Sequence, residues 1–359
     1  MTHDLVFKGG RVIDPANGFD GPADVAVTAG RVAAVGPGLT GQQMVDVTGR
    51  IVTPGLIDLH THVYRGGTSL ALDPLAVTRM SGATTLVDAG SAGASNFAGF
   101  RDHVIAPGPM RIFAFLNISY AGIFAWKPGL MFGEASDLRL LDMAECLRVV
   151  QENRDTIVGV KVRLGSYASG ASGIAPLDMA LEVAGATGVP VMAHIDYVPP
   201  TGREVLDRLR PGDVLTHTNK GFPNSLLRPD GRILPAALAA RDRGVLFDIG
   251  HGTISYDHDV ARRMADLGFV ADFISSDLHA MCVDGENFHL LTVMSKLLAI
   301  GLPLPEVIAR TTARPAAFLR RDDLGSLRPG ALADVTVLDP DGTQLRLVGC
   351  WIGGQRFDD

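Results

Sequence analysis

Through its middle the chain repeats one pattern: a short β-branched apolar run, an amphipathic stretch, then another run. The runs fall at 51–60, 84–89, 111–119, 157–164, 189–195, 213–218, 244–250 and 270–277. Between most of them lie stretches such as RLLDMAECLRVVQENRD, LDMALEVAGATG, LPAALAARDRG and DVARRMADLG, which carry apolar residues at helical spacing. Glycines that follow a helical stretch and precede a run, as in ATGVPVMAH and RDRGVLFDIG, suit helix C-caps feeding strands. Strands that alternate with helices build parallel sheets, and eight such units of this length match a (β/α)8 TIM barrel. An open doubly wound sheet is the alternative, but no GxGxxG or P-loop pattern follows the first run.

The two ends are of another kind. DLVFKGGRVID, DVAVTAGRVAAVG and MVDVTGRIVTPG are short strand-like segments with glycine-rich turns and no helical period. GALADVTVLDP and LRLVGCWIGGQRF resume that style at the C-terminus. Chain ends often lie close together, so the expectation is a small β-sandwich domain from residues 1–53 and 324–359 beside a barrel over 54–323.

Composition narrows the class. With 359 residues and 47% apolar content the chain can bury a large core. A net charge of −7 argues against a nucleic-acid partner, which selects a basic face. No uncharged apolar run approaches the roughly 20 residues that span a bilayer, and the N-terminus MTHDLVFKGG lacks a signal-peptide plan. Cys146, Cys282 and Cys350 are widely spaced without a CxxC pair, as in free thiols of a reducing compartment. The expectation is a cytoplasmic protein that acts on a small molecule and touches neither nucleic acid nor membrane. A homo-oligomer is an open option.

The first run ends in LIDLHTHVY, with His60 and His62 two residues apart. Side chains at that spacing share one face of a strand, so both imidazoles project together from its end. Two nitrogens held that way are half of a metal site, although hydrogen-bonded strand-end histidines fit the pair alone equally well. Barrel active sites form at the C-terminal ends of the strands, and those ends read on in order. IVGVKVRLG carries Lys161, VPVMAHID carries His194, and DVLTHTNKG carries His217. VLFDIGHG carries His251, and FISSDLHA carries Asp277 and His279. A lysine between two valines either snorkels outward or points inward. Inward and near cations its pKa falls. A neutral amine can add carbon dioxide to become a carbamate, whose two oxygens can bridge two divalent ions.

The set His60-x-His62, Lys161, His194, His217 and Asp277, with the PGLIDLHTH opening and the GALADVTVLD return, resembles the amidohydrolase superfamily of binuclear metal hydrolases. The HTNKG, SSDLH and GHG contexts are most similar to its amidohydrolase/deacetylase subgroup, related to dihydroorotases and hydantoinases. That resemblance implies that His60, His62 and Asp277 hold the more buried ion, and His194 and His217 the more exposed one. Carbamylated Lys161 bridges both, and zinc is the expected metal. A hydroxide between the ions is then the nucleophile, with Asp277 as general base and acid. The implied reaction is hydrolysis of an amide or ester in a small carboxylate-bearing substrate, as in a deacetylase.

A second tier rests on adjacency. Arg163, Asn219 and Lys220 neighbour ligand positions and are candidates to receive a substrate carboxylate, against the alternative of solvated or helix-facing side chains. His251 sits in Gly-His-Gly, where backbone can approach a ligand closely, and Tyr64 either lines the pocket or packs at the rim. His279 is a candidate to orient a metal ligand, and Asp88 reads as a turn cap. The segment 117–136, NISYAGIFAWKPGLMFGEAS, reads as a lid or an oligomer contact. The nearest rival function is a cyclic-amide hydrolase of the dihydroorotase or hydantoinase kind, which tends to place an arginine where Tyr64 stands here. A non-catalytic scaffold relative is the rival from another class.

Overall fold

The computed structural model describes residues 2–283 and 288–357. Five strands open the chain: β1 (His3–Asp14), β2 (Phe19–Thr28), β3 (Arg31–Gly36), β4 (Gly41–Asp46) and β5 (Ile51–Pro54). The parallel sheet follows with β6 (Leu56–Thr61), β7 (Ala83–Gly93) and β8 (Arg111–Asn117). A two-stranded hairpin, β9 (Trp126–Lys127) and β10 (Leu130–Met131), precedes β11 (Ile157–Leu164), β12 (Val191–Ile195), β13 (Val214–Leu215) and β14 (Leu246–Phe247). The chain closes with β15 (Val335–Asp341), β16 (Gln344–Ile352) and β17 (Gln355–Arg356).

Both termini meet in one eight-stranded sheet, ordered β17-β16-β15-β5-β1-β2-β3 with β4 paired to β1. Alternating residues of these strands, among them Phe7, Val25, Val52, Val335 and Trp351, form a separate apolar cluster. Phe7 and Trp351 meet edge to face at 4.7 Å inside it. The sequence run 51–60 therefore serves two sheets: β5 belongs to the terminal sheet and β6, after Gly55, to the barrel.

Seven parallel strands, β6-β7-β8-β11-β12-β13-β14, form the TIM-barrel wall. The run 270–277 supplies no regular eighth strand among the described residues. It nonetheless spans the gap, with Ile249 N–H donating to Phe273 O (3.1 Å) on one side and Asp277 N–H to His60 O (2.7 Å) on the other. Inside, Ile57, Val87, Phe115, Met192 and Phe273 fill the lower barrel, and Phe318 packs against Phe115 and Phe273 beneath. That plug leaves only the upper layer for polar side chains.

The helical stretches form Met143–Glu152, Ala175–Thr187, Pro235–Asp242 and His258–Asp266. Gly188 caps its helix in the left-handed region, its N–H on the Ala184 carbonyl, as the glycine spacing predicts. All three cysteines are buried. Among the described residues no helix is long and apolar enough to cross a membrane.

Candidate active site

At the top of β6 the pairing with β7 slips between Asp58 and Thr61, so the strand departs from strict alternation where its histidines begin. The incoming segment fastens to the same stretch through Asp277 N–H to His60 O and His62 N–H to Leu278 O (3.1 Å). This clamp sets Asp277 Oδ1 3.3 Å from His60 Nε2 and 3.2 Å from His62 Nε2. One ligand atom from each of the three lies within 4.8 Å of the others, and all three residues are buried. Asp277 (φ 49°) and His217 (φ 65°) both occupy the left-handed region, a strained choice for non-glycine residues that persists where the surroundings impose it.

Lys161 points inward. It is fully buried, with Nζ 3.4 Å from His60 Nε2. Burial pushes its amine down to about 8, with Asp277 opposing and Arg163 adding to the fall. His194, from β12, faces His217, just past the neighbouring β13, with Nδ1 2.6 Å from its Nε2. Burial lowers the pKa of His60, His194 and His217, the last to about 3, so these rings are neutral near pH 7 and keep a lone pair for a cation.

The remaining ring nitrogens are braced. His60 Nδ1 meets Thr216 Oγ1 (3.0 Å) and Asp248 Oδ2 (3.2 Å), His62 Nδ1 meets Ser91 Oγ (2.9 Å), and His217 Nδ1 meets the Gly250 carbonyl (2.7 Å). Asp248 is itself held by hydroxyl donors, Thr216 at 2.7 Å and Ser275 at 2.5 Å. Asp58 accepts from the Ser276 amide and hydroxyl just before Asp277, and burial pushes its carboxyl up to about 7. Sequence reasoning passed over Asp248 and Asp58, although a carboxylate inside an apolar run is the same signal that Lys161 gives. Asp88 caps a turn, accepting from Ser91 N–H (2.7 Å) and from Val63 N–H (2.8 Å), and so steadies the chain just past His62. The Gly-His-Gly glycines do allow close approach: a Cβ on Gly250 would stand 2.2 Å from Thr216 Oγ1, and one on Gly252 2.6 Å from Asp277 Oδ2.

Above this floor lies a cavity of about 220 Å³, walled by Leu70, Ile123, Trp126 and Met131 on its apolar side. Arg163, Lys220 and His279 line it; Asn219, Tyr64 and His251 do not. Arg163 is buried against Glu134, 3.2 Å away, with its guanidinium 4.2 Å from the Trp126 ring centre. Lys220 donates to the Pro223 carbonyl at 2.6 Å and lies over the Tyr197 ring. Asn219 turns from the cavity to Met264 Sδ, and Tyr64 packs on Phe100 and donates to the Asn96 carbonyl. His251 stacks on Tyr256, with Lys296 Nζ 3.0 Å from its Nε2. These three side chains therefore lie off the cavity, Tyr64 in the packing that was its second reading. The segment 117–136 forms a cavity wall through Ile123, Trp126 and Met131. Asp196 also lines the cavity. Burial pushes its carboxyl up to about 6, against the pull of the Arg163 guanidinium.

Buried imidazoles with one carboxylate are the donor set of borderline divalent cations such as zinc, and the His60–His62–Asp277 triad fits one such ion.

The amidohydrolase family profile matches residues 51–351. A deacetylase of Agrobacterium fabrum is 37% identical over 313 residues, covering 86% of this chain and 76% of its own. A dihydroorotase crystal structure shares 32% identity and a TM-score of 0.89, covering 99% of this chain and 98% of the other. An adenine deaminase structure matches at 31% identity and a TM-score of 0.89, over 99% of this chain and 100% of the other.

Proposed function

The chain belongs to the amidohydrolase family and is a hydrolase of carbon–nitrogen bonds, and from that premise we propose that it removes an acyl group, deacetylase-like, from a small carboxylate-bearing amide or ester. The observation that carries this reading is the joining of the His60–His62–Asp277 triad to Lys161 Nζ, 3.4 Å from His60 Nε2, at the floor of a partly apolar cavity. In this reading His60, His62 and Asp277 would hold one divalent ion, His194 and His217 would hold a second, and Lys161 as a carbamate would join the two sets. Zinc is the ion we assign, and when bound it supplies Lewis acidity and an acidified water.

The chain's own groups do the rest. Asp277 takes the proton from the attacking water and returns it to the leaving atom. The plugged lower barrel closes the floor to water from below, and burial there strengthens electrostatic contacts. Arg163 and Lys220 are the cavity's cations, and they support recognition of a substrate carboxylate. Trp126 and Met131 offer apolar contact to the substrate body.

A second reading, hydrolysis of a cyclic amide, is favoured by the likeness to the dihydroorotase structure. Against it, no arginine stands two residues after the histidine pair, and Tyr64 at that position packs away from the cavity. Steady-state assays of N-acyl amino acids and O-acyl hydroxy acids, run beside dihydroorotate and hydantoins, test the choice. Turnover of the acyclic substrates is expected; turnover of only the cyclic ones would overturn the deacylase assignment.

A further inference from the structure

Each imidazole at the floor has two nitrogens, and in three of the four rings both are accounted for. His60 turns Nε2 to Asp277 and Nδ1 to Thr216 and Asp248. His62 turns Nε2 to Asp277 and Nδ1 to Ser91, and His217 turns Nε2 to His194 and Nδ1 to the Gly250 carbonyl. His194 is the exception. Its Nδ1 faces His217, while its Nε2 is buried with no hydrogen-bond partner among the described residues.

A carboxylate stands opposite that nitrogen. Asp196 Oδ2 lies 3.9 Å from His194 Nε2, and both Asp196 oxygens are also buried without a hydrogen-bond partner among the described residues. The Tyr197 and Tyr167 amides act on the carboxylate, lowering its pKa against the larger effect of burial. The neighbouring cations do not fill the gap, since Arg163 is paired with Glu134 and Lys220 donates to the Pro223 carbonyl. Two orphaned polar groups this close, about 1 Å beyond hydrogen-bond length, both carry a desolvation cost that one contact would remove.

The backbone presents Asp196 deliberately. Its N–H donates to the Leu164 carbonyl at 3.0 Å, and its carbonyl accepts from Asn224 Nδ2 at 3.1 Å. Gly165, at φ +127°, makes room: a Cβ there would lie 1.7 Å from Asp196 Oδ1.

We infer that Asp196 is the positioning residue of the more exposed ion site: it accepts a hydrogen bond from His194 Nε2–H and thereby fixes the tautomer and aim of the Nδ1 lone pair. Metal-bound histidines ordinarily carry such a partner on the far nitrogen, and loss of that partner weakens metal binding about 10- to 100-fold. This inference rests on the two-ion reading given above.

Zinc binding by the full-length protein tests it. Zinc per chain is measured against graded free zinc, in bicarbonate, for the wild type, Asp196→Ala, Asp196→Asn and Asp196→Leu. The leucine variant, with the same branching and number of heavy atoms, covers the case in which the alanine cavity prevents folding. The wild type is expected to bind two ions. The alanine or leucine variant should bind the first unchanged and the second about 10- to 100-fold more weakly. Asparagine, which keeps an acceptor oxygen, should recover much of the loss. Wild-type affinity for the second ion in the alanine or leucine variant would overturn the inference while leaving the two-ion reading intact. A wild type that binds no zinc would overturn both.

Discussion

In the two-ion proposal, Lys161 is the residue that joins the two histidine pairs. Its amine sits at His60 Nε2 with burial lowering its pKa, the state that carbamate formation requires. Lys161→Ala should cost more activity than the roughly 10- to 100-fold typical of an outer partner, and added short carboxylates should restore part of it. Steady-state rates with and without propionate check this; an alanine variant within twofold of wild type, about 0.4 kcal/mol, would contradict it. At this scale much was legible. A charged side chain inside an apolar run is costly unless it has a task, and that singled out Lys161. Asp248 and Asp58 carry the same signal. They escaped notice because their partners, Thr216, Ser275 and Ser276, are uncharged hydroxyl residues far away in sequence. Asn219 turns to a helix, the alternative weighed for it. His217 has a left-handed backbone, so residues after it no longer alternate faces.

At the scale of elements, a buried ion pair ties the segment 117–136 to the barrel beside backbone hydrogen bonds such as Ile118 N–H to Lys161 O (2.9 Å) and Ile123 N–H to Ser91 O (3.2 Å). Glu134 reaches Arg163 on β11, and Trp126 lies against the same guanidinium. Removing one partner of a buried pair strands the other charge, so Glu134→Ala should destabilise the fold by roughly 3–5 kcal/mol. It should also raise KM, because Trp126 and Met131 form cavity wall. Adding Arg163→Met should return most of the stability, since no charge is then stranded. Denaturant melts of the two single variants and the double variant decide the matter: additive losses would show that the pair does not couple. Nothing in the sequence pairs position 134 with position 163. The strand runs themselves were readable from period and composition, yet the eighth failed to form a ladder. There the chain leaves strand geometry to aim Asp277, which φ 49° records. A position that must present a ligand is where local propensity is expected to yield.

Over the whole molecule, the division of labour follows from where apolar side chains run out. Phe115, Met192, Phe273 and Phe318 plug the lower barrel, the terminal sheet holds its own core around Phe7 and Trp351, and the ionisable groups collect at the strand ends above. That layout was legible because eight runs at regular spacing admit few architectures. The merging of both termini into one eight-stranded sheet was foreseeable only as a likeness of style, since strand pairing across almost the full chain length leaves no local trace. The central claim is that the floor holds two divalent ions joined by a carbamate on Lys161. Native mass spectrometry of the full-length protein, prepared with zinc and bicarbonate, tests it most directly. The expected mass is that of the chain plus two zinc ions and one carbon dioxide, with the carbon dioxide absent from Lys161→Ala. A chain that carries no zinc, or that carries zinc with Lys161 unmodified, would contradict it.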